Sequence, residues 1–335
     1  MIGSSLVDPY VFGGWLFRWY NPDQELRPDE ILTLLNIPVS PDPPKFVELS
    51  DGDQGRRVRF RSLVGASGPP YVSVNQEVPF LPGSISKFVN VNEAEVDLRV
   101  LFTADTQQLL WAGLQSLPYE FQPQRGIGTL EVINPAGSVR RLSCRCISGF
   151  KLDESTLQEK SVEAVLTFYA NDPYWYSGWT RTVARTVPGQ GMLPGLPVIP
   201  RPTGSTLSRI TINNDGDVNG FPVFIVDGPF RDPFLVNQSI NTQVSFNNTL
   251  NFSVNGGVRT GLRNPLLIDC GAKTASIIDV GAPTRPITSM ISKLTRTSSF
   301  FYLKPGDNNL FFSVLNATVD TRFKVFHRSA YSTMI

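Results

Sequence analysis

Histidine is nearly missing from this 335-residue chain, cysteine is scarce and charge is thin: one His, three Cys and 18% charged residues. Each shortage excludes something. A Ser-His-Asp or Cys-His catalytic system would have to use His327. That residue falls in the alternation Phe323, Val325, His327 against Phe326, which predicts a half-buried strand histidine, and no Gly-x-Ser-x-Gly elbow occurs. Three cysteines are too few for a disulfide framework, and with one distant histidine they make a poor zinc set. Cys144 and Cys146 sit two apart on a predicted strand, so both point to one face, and Cys270 stands alone. All three read as buried thiols of a protein made in a reducing cytoplasm. The charged share is below the ~25% usual for soluble proteins, as expected of a chain that hides much surface against partners. Thirty basic and 29 acidic residues give a net charge of +1, with no global pull toward nucleic acid or anionic membrane. No apolar run reaches the ~18 residues of a membrane span. Residues 1–20 lack a basic n-region, so neither membrane insertion nor a signal peptide is expected.

Cofactor signatures are also lacking. There is no Walker phosphate loop and no Gly-x-Gly-x-x-Gly after a strand. Asn213, Asp215 and Asp217 have the spacing of calcium ligands, but Val218 stands where an EF-hand needs Gly and Phe224 where it needs Glu. Asp51-Gly52-Asp53 is shorter still, and both read as turns. Nothing points to a glycosidase pair of carboxylates. The sequons at Asn237, Asn247, Asn251 and Asn316 carry no weight without a secretory signal. The chain is expected to be no enzyme, with no cofactor and no metal.

What is present is β-pattern, proline and glycine. Residues 1–45 are broken by Pro22, Pro28, Pro38, Pro41, Pro43 and Pro44 and read as an irregular segment. One short helix is predicted from Pro28 to Leu35, with Asp29 and Glu30 at its N-terminus and Pro38 as a stop. Its aromatics, Tyr10, Phe12, Trp15, Phe17, Trp19 and Tyr20, pack either on their own domain or on a neighbour. Residues 46–180 form a first β domain. Alternation marks strands around Val58 and Phe60, from Val89 to Phe102, over Gly128–Ile133 and Val139–Ile147 around an Asn134-Pro135-Ala136-Gly137 turn, and over Ser161–Tyr169. Leu110, Leu114 and Leu117 at i, i+4, i+7 predict a helix over 105–117, with Asp105 and Gln108 as a capping box. Residues 181–204 form a Pro/Gly-rich linker. Residues 205–335 form a second β domain of short runs: Phe221–Val226, Val244–Phe246, Leu250–Val254, Leu266–Ile268, Ser276–Asp279, Phe300–Leu303, Leu310–Leu315 and Arg322–His327. Turns at Asn213–Gly216 and Pro305–Asn308 help separate them. Many short strands without helix predict an antiparallel sandwich.

Arg57, Arg59 and Arg61 alternate along one strand, and Arg140, Arg141 and Arg145 lie in another. They present a solvated face, pair with acids of an adjacent subunit, or touch phosphate. A DNA binder usually carries a larger charge excess.

The ordered set of motifs resembles the distal tail proteins of long-tailed, non-contractile phages. Carrying the likeness are Gly68-Pro69-Pro70, Pro82-Gly83-Ser84, Phe102-Thr103-Ala104-Asp105, the hairpin over 128–147 and Ala170-Asn171-Asp172-Pro173-Tyr174-Trp175-Tyr176. After the linker come Ile212-Asn213-Asn214-Asp215-Gly216, Phe221-Pro222-Val223, Gly228-Pro229 and Leu303-Lys304-Pro305-Gly306-Asp307-Asn308. The resemblance covers about residues 50–335. The N-terminal 45 residues and the linker are longer than the family pattern.

The resemblance implies a mainly β fold: an N-terminal β-sandwich or split-barrel ring domain with one helix, then a C-terminal galectin-like antiparallel β-sandwich. It implies a homo-hexameric ring closed by head-to-tail contacts. That ring joins the tail tube protein to the tail-tip or baseplate hub and tape-measure proteins and nucleates tail assembly. Phage DNA crosses its lumen without sequence-specific binding. The expected setting is the virion of a siphovirus, assembled in the host bacterial cytoplasm. Expected interface residues are Arg57, Arg59 and Arg61, with Asp172, Pro173, Tyr174, Trp175, Tyr176 and Trp179 as a structural joint whose aromatic area fits a subunit contact. The rival reading is a carbohydrate-binding tail or baseplate adhesin, in which Phe or Tyr302 would form the stacking platform.

Overall fold

The computed structural model describes residues 15–20, 27–35, 46–49, 56–77, 84–115, 117–185, 206–228, 230–246, 251–252, 264–279, 284, 286–315 and 321–334. Tyr10, Phe12, the Asp51-Gly52-Asp53 turn and the proline-rich stretch 188–204 lie outside them. The chain divides into two compact units. One comprises Met1–Leu26, Ser40–Gly178 and Tyr331–Ile335; the other comprises Arg27–Val39 and Trp179–Ala330. Both are built mainly of antiparallel strands. Helices are short: α1 (Asp29–Leu34), α2 (Gln107–Leu114) and α3 (Leu117–Glu120), none long and apolar enough to cross a membrane.

The first unit contains β1 (Leu16–Tyr20), β2 (Phe46–Glu48), β3 (Arg56–Val64), β4 (Tyr71–Glu77), β5 (Ser84–Val91), β6 (Ala94–Ala104), β7 (Gly128–Ile133), β8 (Val139–Cys146), β9 (Lys151–Gln158), β10 (Ser161–Ala170) and β11 (Trp175–Tyr176). Its main path runs β2-β1-β7-β8-β10-β6-β3, with β9 beside β10 and β11 beside β8. Alternation does what period two requires. In β10 the residues Val162, Ala164, Leu166, Phe168 and Ala170 are buried, opposite Phe102, Val100, Leu98, Val96 and Ala94 of β6. The sheet curls, because rings from strands far apart on the path meet: Trp19 of β1 lies 5.0 Å from Phe168 of β10. Leu110 and Leu114 of α2, with Phe121, belong to the same core.

Two sequence expectations change here. Residues 1–45 were expected to be irregular, yet β1 pairs with both β2 and β7, and Phe17 and Trp19 are core residues. Burying two large rings outweighs the weak strand signal of five residues between prolines and glycines. The α2 cap is also one residue on from Asp105: the Thr106 hydroxyl accepts from the Leu109 N–H at 3.3 Å, and Leu117 opens a separate helix, α3. The hairpin follows expectation. Gly137 adopts φ 83°, and Asn134 holds the turn by accepting the Ser138 N–H on its Oδ1 at 2.8 Å.

The second unit is an antiparallel β-sandwich. One sheet orders β12 (Thr180–Arg185), β22 (Arg322–His327), β14 (Val223–Asp227), β18 (Leu266–Asp269), β19 (Thr274–Ile278) and β20 (Ile287–Ser289). The other orders β13 (Thr206–Asn214), β21 (Gly306–Leu315), β15 (Phe230–Asn237) and β16 (Thr242–Ser245), with β17 (Asn251–Phe252) beside β15. Phe224, Phe301, Phe312 and Phe323 share the core. Helix α1 forms as predicted and belongs to this unit, where Ile31 packs with Val223, Ile225, Leu267, Ile278 and Phe326.

Strand β15 escaped the sequence pattern because Pro233 interrupts it. Asp232 takes φ 47°, and the register shifts between Arg231 and Phe234, which lifts the proline out of the ladder as a bulge. Conversely, Phe300–Leu303 forms no strand beyond a bridge from Leu303 to Gly220. Buried asparagines hold that segment instead. Asn214 donates to the Leu303 carbonyl at 3.0 Å, Asn237 to that of Tyr302 at 2.9 Å, and Asn308 to that of Lys304 at 2.7 Å.

Replacing Trp175→Ala, a 2% exposed member of the first core, is expected to lower stability by about 3–5 kcal/mol. Urea unfolding followed by fluorescence measures it; a loss under about 1 kcal/mol would contradict this placement.

Candidate assembly surface

Strands β4 and β5 stand apart from the main sheet as a two-stranded ribbon. Tyr71 faces Val91, Val72 faces Asn90, Ser73 faces Val89 and Val74 faces Phe88. By the two-residue period, Tyr71 and Val89 share one face, while Val72, Val74 and Phe88 share the other. Neither face is covered among the described residues: Tyr71 is 63% exposed, Phe88 58% and Val89 60%. Its base, by contrast, is fixed. Gly65 turns the chain out of β3 at φ +86°, where an added Cβ would sit 2.0 Å from the Glu95 carbonyl oxygen. The Asn92 N–H donates to the Pro70 carbonyl at 2.9 Å. A lone two-stranded hairpin is marginal in water, and covering side chains of this size contributes about 1–2 kcal/mol each. A pinned base with a ribbon apolar on both faces is suited to docking on another protein surface.

Strand β3 ends the sheet path. Its register sets Arg57 opposite Thr103 and Arg59 opposite Leu101, then shifts between Phe60 and Ser62. Arg61 lies at that irregularity and pairs with Glu163 of its own chain at 3.4 Å. The side chains of Arg57 and Arg59 lie outside the described residues.

The expected joint is a folded corner. Asp172 Oδ2 accepts the Tyr176 hydroxyl at 2.6 Å, and its Oδ1 accepts the Tyr174 N–H at 3.3 Å. Pro173, Trp175 and Tyr176 are buried and Tyr174 is half-buried. The chain passes into the second unit after Gly178, and there Trp179 lies under the Arg328 guanidinium at 5.0 Å. The area of Trp175 is therefore used inside the first core rather than offered at the surface.

Buried ionisable groups are held for structure. Glu131, though charged, is 2% exposed. It accepts the Tyr20 hydroxyl at 3.0 Å and Arg141 Nε at 2.8 Å, with Arg18 at 3.5 Å. Burial, and then the charge of Glu131, push the Tyr20 phenol above its ordinary value. Cys144, Cys146 and Cys270 are free and buried. Burial raises all three thiols, that of Cys270 to about 12, so they are not nucleophiles near neutrality. Arg140 stacks 3.5 Å over the Tyr331 ring. Among the described residues, no three His, Cys, Asp or Glu gather as a metal site.

His327 is 7% exposed, and its Nδ1 has no hydrogen-bond partner among the described residues. Burial lowers its pKa, opposed by the charge of Asp215 and a hydrogen bond to the Asn213 backbone.

No family model and no curated protein matches the sequence. Solved structures do match. The Dit protein of phage SPP1, described as a paradigm of the hub adsorption apparatus in phages infecting Gram-positive bacteria, aligns with a TM-score of 0.55 and 13% identity, over 85% of this chain and 96% of that one. This is the Dit fold. A chain of the phage P2 baseplate in its activated conformation with Ca aligns at 0.49 and 11% identity, over 93% and 97%. At such identities the likeness is one of fold. Strand β4 of the ribbon had no counterpart in the sequence reading, and the run read from Val89 to Phe102 divides between β5 and β6. The alternation of Tyr71, Ser73 and Asn75 with Val72 and Val74 reads as an ordinary half-buried strand, and only the missing cover distinguishes it.

Two predictions concern the buried charges. Glu131→Gln leaves Arg18 and Arg141 without their carboxylate and is expected to cost about 1–3 kcal/mol, measured by urea midpoint. For His327 the folded pKa lies below the unfolded one, so the unfolded chain binds the proton first. Stability is then expected to fall as pH drops below about 6.5. His327→Gln is expected to reduce that slope between pH 7 and 5; an unaltered slope would exclude His327 as its source.

Proposed function

We propose that this chain is a structural virion protein, the hub ring at the distal end of a phage tail. Six copies close head to tail through the first unit. The ring joins the tail tube to the tip or baseplate, contacts hub and tape-measure proteins, nucleates tail assembly and lets DNA pass through its lumen. The chemistry is interface burial rather than bond making. The observation that carries this reading is the β4–β5 ribbon, fixed at its base and apolar on both faces, on a chain with the Dit fold. Obligate assemblies bury about 2,000 Å² or more per contact, and such a ribbon supplies apolar area at low ordering cost because its strands are already paired. Arg57, Arg59 and Arg61 on the terminal strand β3 are proposed to flank this contact. Tyr174 and the Asp172 corner stiffen the unit that carries it.

The test is size-exclusion chromatography with light scattering, followed by negative-stain electron microscopy. The unaltered protein is expected to form closed six-fold rings. Phe88→Ser with Val89→Ser is expected to leave the thermal midpoint nearly unchanged, since both residues are exposed, and to yield monomers. Rings that persist in the double variant would remove the ribbon from the contact. A parent protein that stays monomeric at high concentration would count against the hub reading itself.

A further inference from the structure

The two units carry opposite charge. The second unit, residues 27–39 and 179–330, holds sixteen basic and ten acidic residues, for a net charge of +6; the first, residues 1–26, 40–178 and 331–335, holds fourteen basic and nineteen acidic, for −5. Between Asp279 and Asp307 there are four basic residues, Arg285, Lys293, Arg296 and Lys304, and no acid.

Part of this excess sits on a built surface. Strand β20 ends the six-stranded sheet; Ile287, Thr288 and Ser289 are all exposed, and its outer edge is unpaired among the described residues. Its register with β19 sets Ser289 opposite Ser276, and the Met290 N–H donates to the Ala275 carbonyl at 2.7 Å. Lys273 lies in the turn before β19, and Lys293 closes the short 3-10 turn Ile291–Lys293 that follows β20. Arg296 follows on a clamped segment. Thr295 N–H donates to the Ser245 carbonyl at 3.0 Å and Ser299 N–H to that of Gln243 at 2.8 Å. Ser298 Oγ donates to the Ser245 carbonyl at 2.7 Å and accepts the Ser245 N–H at 2.9 Å. Lys273, Lys293 and Arg296 are exposed, as are Ile287 (52%) and Ile291 (47%). The acids of these strands are placed elsewhere or used: Asp269 Oδ1 accepts the Ala272 N–H at 2.9 Å, and Asp279 follows the far end of β19.

We propose that this basic, isoleucine-bearing edge of the second unit docks on the acidic first unit of a second copy of the chain. Exposed isoleucines beside an open strand edge suit a protein surface, whereas a flexible polyanion would use only the cations. The acidic surface the molecule itself supplies is the first unit. Opposite charges on two units give a heterologous contact that steers copies head to tail and disfavours head-to-head approach. The inference rests on the reading that the chain assembles with its own copies.

The test uses the full chain with Lys273→Glu, Lys293→Glu and Arg296→Glu together, at about 50 mM and about 500 mM salt, conditions that differ about threefold in screening length. Light scattering is expected to show self-association of the parent weakening with salt. The triple variant, with an unchanged thermal midpoint, is expected to associate at least tenfold more weakly and with less salt dependence. Carbodiimide coupling of mixed light and isotope-labelled copies is expected to join Lys273 or Lys293 of one copy to carboxylates in the first unit of another. Rings that form equally well in the triple variant, or coupling confined to single copies, overturn this inference and leave the ribbon reading standing. A parent that never associates at either salt overturns both.

Discussion

The wrapping of one continuous sheet around Trp19 governs the first unit. Its ring meets Phe168 at 5.0 Å and Phe121 at 6.0 Å, and its Nε1 donates to the Glu120 carbonyl at 3.3 Å. A flat sheet would leave these rings on separate patches of one face. Curling brings them together, and α2 and Phe121 complete the core. Gly128 belongs to the same constraint, because an added Cβ would lie 2.6 Å from the Trp19 ring. Outside that ring cluster, Glu131 is buried and is satisfied by Tyr20, Arg18 and Arg141.

The exposed apolar side chains of the ribbon are not part of this core. The connection between β3 and β6 is pinned by Gly65 and by Pro70 with Asn92, so β4 and β5 remain a pair apart from the sheet. Scattered exposed hydrophobics are ordinary on soluble proteins. Tyr71, Val72, Val74, Phe88 and Val89 are not scattered but gather on the two faces of one ribbon, the kind of exposure that suits a docking surface. The low charge of the chain, 18%, is consistent with surface given over to assembly.

The second unit reaches order differently. Its phenylalanine core is conventional, but the segment before β21 is held by polar groups. Asn214, Asn237 and Asn308 are all buried, and each bonds to backbone of that segment. Such networks specify one arrangement because any slip leaves a buried amide unpaired. Lys324 and Asp227 pair on adjacent strands. Lys273, Lys293 and Arg296 take no part in these contacts and are exposed.

Much of the architecture was legible in the residues because it rests on local rules. Period-two burial marked β6, β7, β8 and β10. Asn134-Pro135-Ala136-Gly137 marked the turn between β7 and β8, and Pro28 with Pro38 bounded α1. Cys144 and Cys146 fell on one inward face, as their spacing requires. The failures fall where distant contacts overrule local signals: β1 between prolines, β15 across a bulged Pro233, the asparagine-held 300–304 segment and the Thr106 cap. For the candidate site, the sequence offered aromatic side chains without their destinations. Trp175 and Tyr71 are both large and both flanked by strand-like residues. Whether a ring is swallowed by the core or left outside depends on how far the sheet curls and where the chain leaves it. By itself the sequence determined a two-part β protein, thin in charge and without the residue sets of common catalysis, because composition and periodicity act residue by residue. Tertiary structure alone decided which apolar surface remained uncovered, because exposure belongs to the packing of elements that lie far apart along the chain.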